Sequence, residues 1–314
     1  MNAVTLHKIT KTYGEGKVQA VDEVSFEVKK GELFGLIGPD GAGKTSIFRI
    51  LTTVLLADSG TATVAGYDVV KDYRAIRNRV GYMPGKFSLY QDLTIQENLE
   101  FFATIFGTTI EENYDLIKDI YDQIKPFSGR RAGKLSGGMK QKLALCCALI
   151  HKPEVLLLDE PTTGVDVVSR KEFWAMLKAL KEKGITILVS TPYMDEANLC
   201  DRVALIQNGK IMSVDTPEQI ISAFPVKLFA AKSDNIYKLL TDFRADAHVD
   251  SCYAFGEFLH VTLKANPEVG VDKLQEIAAA KGHANITVKQ IRPGIEDSFI
   301  RLMNDSVHAW DVVQ

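Results

Sequence analysis

A chain of 314 residues is too long for one small hydrophobic core and predicts two domains. Its charge is close to balance, 37 Lys and Arg against 40 Asp and Glu, and it has no long basic run, so the charge pattern proposes no nucleic-acid partner. No apolar run approaches the roughly 18 residues of a membrane span, the first residues lack a charged-then-apolar leader, and Cys146, Cys147, Cys200 and Cys252 show no metal-ligand spacing; a soluble, cytosolic chain with buried reduced thiols is expected.

Residues 3–8 and 19–28 alternate apolar and polar side chains as half-exposed strands do, with Val21, Val24, Phe26 and Val28 the apolar members of the second. Between them, Tyr13 in Lys11-Thr12-Tyr13-Gly14 can stack on a nucleotide base, an interaction of about 1–3 kcal/mol that tolerates any base; a lone tyrosine is more often a packing residue. Residues 31–37 then form an apolar run that reads as a buried strand, followed at once by Gly38-Pro39-Asp40-Gly41-Ala42-Gly43-Lys44-Thr45-Ser46 and by helical spacing through Leu51. Strand, G-x-x-x-x-G-K-[ST], helix is the context a phosphate-binding loop requires. The glycines let backbone N–H groups turn into an anion nest with no Cβ in the way, and the helix N-terminus adds partial positive charge. Lys44 can reach the β- and γ-phosphates and the Thr45 hydroxyl can ligate Mg²⁺, so the chain is expected to bind a nucleoside triphosphate.

Residues 60–66 read as another strand closed by a turn, and Val80–Met83 as a short strand ended by Pro84. From about residue 87 to 133 the character is helical, opening at Leu93–Leu99 and resuming through Leu116, Ile120 and Ile124. Leu135-Ser136-Gly137-Gly138-Met139-Lys140-Gln141 then leads into a helix over 142–150, with Ser136 where an N-cap belongs and two glycines exposing N–H groups at a helix start: a second anion-binding site. The apolar run Val155–Leu158 suits a central parallel strand. It ends in Asp159 and Glu160, at the edge where open α/β sheets bind their ligands. Asp159 is placed to hold Mg²⁺ directly or through water, and Glu160 to orient or deprotonate an attacking water.

Together these residues resemble the nucleotide-binding subunit of an ATP-binding cassette (ABC) transporter of the exporter type, over residues 1 to about 222 and in the expected order. The resemblance implies an α/β fold: a P-loop NTPase core, in which a mixed sheet is flanked by helices and accompanied by antiparallel N-terminal strands and a helical insert, plus a small C-terminal α+β domain. It implies Tyr13 as the base-stacking aromatic, 38–45 as the phosphate loop with Ser46 also at the nucleotide, Leu135–Gln141 as the signature with Ser136, Gly137, Gly138 and Gln141 at the nucleotide, Asp159 and Thr45 as metal ligands, Glu160 as the catalytic carboxylate, and 163–166 as a dimer-contacting loop. In this family two subunits pair head to tail, so Ser136, Gly137 and Gly138 would face the γ-phosphate held by the other subunit. ATP and Mg²⁺ are the implied ligands. Membrane permease subunits and a second ABC subunit are the implied partners, with no nucleic acid, and the implied place is the cytoplasmic face of the cell membrane. Two positions depart from the family pattern. Gly85 stands where the family has a Gln that helps hold metal and water, and Pro192 where it has a His that contacts the γ-phosphate. Each lost polar contact is typically worth about 10²–10³ in rate. The structural cost is expected to be small, Gly85 only loosening a loop and Pro192 taking the first position of a helix capped by Thr191. A weakened own site and a heterodimer in preference to a homodimer follow as expectations.

Past Thr216, with Pro217 opening a helix, the nucleotide motifs stop. Strands are expected at 226–231, 256–263 and 284–291 and a helix at 269–281, making residues 223–314 a small α+β accessory or regulatory domain after a nucleotide-binding domain at 1–222, whose helical subdomain spans about 87–150. Residues 294–300 resemble a C-terminal motif of drug-, lipid- or polysaccharide-exporting relatives, and the last ten residues are expected to be mobile. Alternative readings are a regulatory subunit that holds ATP without turning it over, and a soluble ABC ATPase acting on ribosomes or DNA.

Overall fold

A computed structural model of the protein describes residues 1–14, 16–264 and 270–311, with side chains up to residue 304. Val269 of the expected helix lies outside the described residues, and the end expected to be mobile lies outside the described side chains. The chain divides into two compact units, Met1–Gln219 with the chain from Leu302, and Ile220–Arg301.

The first unit opens with long strands β1 (Asn2–Tyr13) and β2 (Val18–Lys29), paired antiparallel. The break in alternation between Val21 and Val24 is a bulge: Glu23 adopts φ +47°, and the strand resumes with Val24, Phe26 and Val28 facing inward. Next come β3 (Leu33–Ile37), α1 (Lys44–Leu51), β4 (Ser59–Val64), β5 (Tyr67–Asp68), α2 (Tyr73–Arg77) and β6 (Val80–Met83). The helical segment follows with α3 (Ile95–Ile105), α4 (Tyr114–Tyr121) and α5 (Gly137–Leu149). Thr94 and Glu97 close a capping box at the start of α3, so the helix begins where its first two orphan donors are satisfied. The remainder is β7 (Val155–Asp159), α6 (Val167–Glu182), β8 (Thr186–Thr191), β9 (Arg202–Gln207), β10 (Lys210–Asp215) and α7 (Pro217–Ser222).

Two sheets result. One runs β2-β1-β4-β5, antiparallel throughout; the other runs β10-β9-β3-β8-β7-β6, parallel except for β10. β3 and β7 are buried along their whole length, as their lack of polar alternation requires; β7 lies one place from the sheet edge, not at its centre. Ile47, Phe48, Ile50 and Leu51 of α1 complete a core to which both sheets contribute. The carboxyl ends of β3, β7 and β8 lie side by side, and the phosphate loop, Glu160 and Pro192 emerge there.

The second unit is a four-stranded antiparallel sheet, ordered β12-β13-β11-β14, built from β11 (Leu228–Lys232), α8 (Ile236–Arg244), β12 (Val249–Phe255), β13 (Phe258–Leu263), α9 (Val271–Ala280) and β14 (Thr287–Ile291). Leu239 and Phe243 of α8 and Leu274 and Ile277 of α9 bury one sheet face with Phe229 and Ala231. β12 and α8 are additions to the elements expected from the sequence. A final helix, α10 (Ile295–Asp311), gathers the motif at 294–300: Asp297 accepts from the Gly294 N–H at 2.7 Å and meets His260 Nδ1 at 2.6 Å.

Candidate functional site

The phosphate loop hangs between the end of β3 and the start of α1, and its backbone is held on three sides. Gly38 N–H donates to the Thr191 carbonyl at the end of β8, Ala42 N–H to Pro39, and Gly209 N–H to Ala42. Close packing supplies a reason for two of the glycines that the sequence alone does not give. A Cβ on Gly38 would lie 2.1 Å from the Ile206 carbonyl, and one on Gly43 2.1 Å from the Ala20 carbonyl, where φ is also +101°. Gly43 is the N-cap of α1 and no side chain caps that end, so its leading N–H groups stay available to an anion.

Lys44 is 3% exposed and its ammonium is fully engaged, donating to the carbonyls of Gly38 (2.8 Å) and Pro39 (2.9 Å) and pairing with Glu160 Oε1 at 3.0 Å. Glu160 stands immediately after β7 with φ +50°, a left-handed conformation uncommon for a glutamate, and its N–H donates to Ser190 Oγ at 2.9 Å. Asp159, 2% exposed, accepts from Ser190 Oγ at 2.7 Å. Burial pushes its carboxyl above the ordinary carboxylate range, opposed by hydrogen bonds from Ser190 and Thr45 and by the nearby Lys44 charge. The Thr45 hydroxyl and the Asp159 carboxylate thus form a pair of hard oxygen donors facing the loop, a set that suits Mg²⁺ sharing its remaining positions with phosphate and water. Among the described residues there is no cluster of three or more His, Cys, Asp or Glu that could hold a metal ion.

Tyr13 lies beside this loop, its hydroxyl 3.1 Å from Ser46 Oγ and the residue 37% exposed. Asp58 fixes the end of β1 by accepting from Lys11 Nζ at 2.6 Å and from the Thr12 N–H at 2.6 Å, and these bonds hold its carboxyl down at about 2. The ring is therefore presented rather than buried. Pro39 is half-buried, Ala42 buried, and Asp40 and Gly41 exposed at the tip of the loop.

Two expectations about the departing residues are corrected. Gly85 does more than loosen a loop: a Cβ there would stand 3.1 Å from the Asp159 carbonyl and 3.8 Å from Glu160 Cβ, so the position is packed against the acidic pair. Pro192 does not open a helix. Thr191 Oγ accepts from the Tyr193 N–H and donates to Glu196, and the following turn is a 3-10 helix beginning at Met194. Neither residue offers a polar side chain.

The signature residues lie elsewhere in the chain. Ser136 caps α5, accepting from Met139 N–H at 3.3 Å, while Gly137 lies nearest the Gly164 carbonyl and Gly138 abuts Ser169, whose Oγ would be 2.6 Å from an added Cβ. Packing against α6 thus accounts for Gly138 independently of any anion. Gln141, one turn on, lines a cavity of about 520 Å³ with Gly85 and Glu160.

Two groups of residues at the site escaped the sequence reading. Ser190 bridges Asp159 and Glu160, and Glu196, 2% exposed, gathers Thr162, Thr191 and the Arg170 guanidinium (3.0 Å) around its carboxylate. The signal lay in Ser190-Thr191, polar residues closing a wholly buried strand. A buried hydroxyl needs a partner, and the partners are the acids at the end of the neighbouring strand.

The ABC transporter family model matches residues 21–163. The chain is 38% identical over 306 residues to the probable multidrug ABC transporter ATP-binding protein YbhF of Escherichia coli (strain K12), covering 96% of this chain but only 52%, about half, of that relative's length. It is 33% identical over 307 residues to the Nod factor export ATP-binding protein I of Rhizobium sp. (strain N33), covering 96% of each. The structure is similar to that of the dimeric ATP-binding cassette MJ0796 bound to ADP and Pi, with a TM-score of 0.61 and 25% identity, covering 68% of this chain and 98% of the other.

Proposed function

The chain belongs to the ABC transporter family, and from that premise we propose that it is the ATP-binding subunit of an exporter, seated on the cytoplasmic face of the membrane through separate permease subunits. The relative named for Nod factor export supports the direction of transport, and the one named as a multidrug ABC transporter ATP-binding protein supports the transport role. In this reading residues 1–222 form the nucleotide-binding domain and 223–314 an accessory regulatory domain.

The observation that carries the reading is the convergence of Lys44, Asp159 and Glu160 at an uncapped helix start. The loop amides and Lys44 take the phosphates, and Tyr13 takes the base. Thr45 and Asp159 would hold Mg²⁺, which would supply charge neutralisation on the phosphate oxygens. Glu160 orients or deprotonates water, but only after the γ-phosphate takes over its contact with Lys44, so nucleotide binding itself frees the carboxylate. Ser136, Gly137 and Gly138 complete the site of a partner subunit. The partner is a different ABC subunit, because a homodimer would repeat the vacancies at Gly85 and Pro192 in both sites. A chiefly regulatory, slowly hydrolysing subunit is the second reading these two residues favour. The apolar cavity beside Gly85, walled by Phe87, Leu89, Phe102, Ile105 and Phe106, is the seat for a permease helix, and the loop at 84–90 passes motion to it.

Titration of the purified chain with ATP and Mg²⁺ tests the site. Saturable binding is expected, weakened by about tenfold or more in Lys44→Ala, the value of a lost charge-assisted hydrogen bond. Equal affinity in the variant would remove the phosphate loop from the account.

A further inference from the structure

Beyond the nucleotide and permease sites, one surface spends backbone strain to hold apolar side chains in water. Thr53 adopts φ +63°, an outlier for a β-branched residue. It is pinned there by Arg77, whose Nε donates to Thr53 Oγ1 at 2.9 Å and whose Nη2 donates to the Thr53 carbonyl at 3.0 Å. The turn leaves the next side chain, Val54, 66% exposed. Across the same Arg77 lies Tyr73, 38% exposed, with the guanidinium groups of Arg74 and Arg77 at 5.7 Å and 5.2 Å from its ring. Val70, 58% exposed, opens the segment.

The cations here are engaged by Thr53 and Tyr73 but are not neutralised by carboxylates. The neighbouring acids are turned into the backbone: Asp68 accepts from the N–H groups of Val70 and Lys71, and Asp72 from that of Asp68. No carboxylate among the described residues comes within ion-pairing distance of Lys71, Arg74 or Arg77. Val54 and Arg77 also line the cavity assigned above to a permease helix, so this patch continues the side of the subunit that would face the membrane. Exposed aliphatic groups, an aromatic with a polar tip and unpaired cations on one face are the requirements for lying on an anionic lipid headgroup layer.

We propose that the surface formed by Val54, Val70, Lys71, Tyr73, Arg74 and Arg77 rests directly on the anionic lipids of the membrane surrounding the permease. The contact rests on the reading of this chain as a peripheral membrane subunit, but lipid binding itself needs no permease and no nucleotide. The full chain is mixed with vesicles of phosphatidylcholine alone or with phosphatidylglycerol, and sedimented. Binding to the anionic vesicles is expected, falling as salt is raised, with little binding to the neutral ones. Each basic residue near such a surface strengthens binding by about fivefold, so Lys71→Glu/Arg74→Glu should weaken it by more than about tenfold. A control with the same change in net charge on exposed residues of other helices, Lys118→Glu/Lys171→Glu, should retain most of it. Absence of binding to anionic vesicles at low salt, equal binding to neutral vesicles, or equal loss in the control would overturn the proposal. ATP titration of the same samples separates this failure from failure of the nucleotide-site reading, since Lys71 and Arg74 take no part in that site.

Discussion

Asp159 is the residue whose environment most clearly awaits something. Its carboxylate is buried at the end of β7, and burial raises its proton affinity despite bonds from Ser190 and Thr45. A carboxyl whose folded-state pKa is raised favours the folded chain most when protonated, and this contribution is lost as pH rises through the folded value. Above its folded-state pKa the ionised group therefore weighs against the ligand-free fold. Asp159→Asn removes that charge while leaving an oxygen for the Ser190 hydroxyl, so the nucleotide-free chain should melt at a higher temperature, and the gain in melting temperature from ATP with Mg²⁺ should shrink. A lower melting temperature in the variant, measured by calorimetry without nucleotide, would mean that the carboxylate is part of the fold's support. Residues such as this were legible from the sequence because each sits in a motif whose backbone context is also written there. Ser190 and Glu196 were not, since their roles depend on which strands lie side by side, a fact of β7–β8 pairing that local spacing does not carry.

At the scale of elements, one buried side chain, Asn98, ties the segment between Met83 and α3 to the helix, beside backbone bonds from Ala132 and Gly133 to Leu93 and Gln91. Asn98, fully buried in the first turns of α3, donates to the carbonyls of Tyr90 (3.0 Å) and Thr94 (2.9 Å) and accepts from the Tyr90 N–H (3.0 Å). It fastens the loop that carries Gly85 to the helix that walls the apolar cavity beside it. Asn98→Ala leaves both Tyr90 backbone groups without this partner and should cost about 1–3 kcal/mol, seen as a lower urea midpoint and faster amide exchange over residues 88–93. An unchanged midpoint would show that the loop is held by its neighbours alone. The elements the sequence announced best are those with a strong local cause: β3 and β7 by unbroken apolar runs, α1 and α5 by glycine and serine starts, α3 by Thr94 and Glu97. α8 carries a helical pattern in Ile236, Leu239, Leu240 and Phe243 that a strand-first reading of residues 226–263 passes over. β12 is harder to see, because a register irregularity between Val249 and Ser251 breaks its alternation.

For the whole molecule, the central point is that one chain carries two helix starts suited to phosphate, α1 behind the loop and α5 behind Ser136, and the second packs on Gly164 and Ser169. In the proposed reading such a chain is half of two sites. Its own loop retains Lys44, Asp159 and Glu160 but meets a glycine and a proline where polar groups would hold water and the γ-phosphate. The account therefore predicts a subunit that grips ATP firmly and splits it slowly unless a partner supplies what is missing. The most direct test is steady-state ATP hydrolysis by the purified chain alone, with nucleotide occupancy measured in the same samples, beside Gly85→Gln/Pro192→His. The account predicts full occupancy with slow turnover, rising by about tenfold or more in the double variant, a modest part of the 10²–10³ per contact because the residue at 85 must shift the Asp159 carbonyl. Brisk turnover by the unmodified chain, unchanged in the variant, would contradict it.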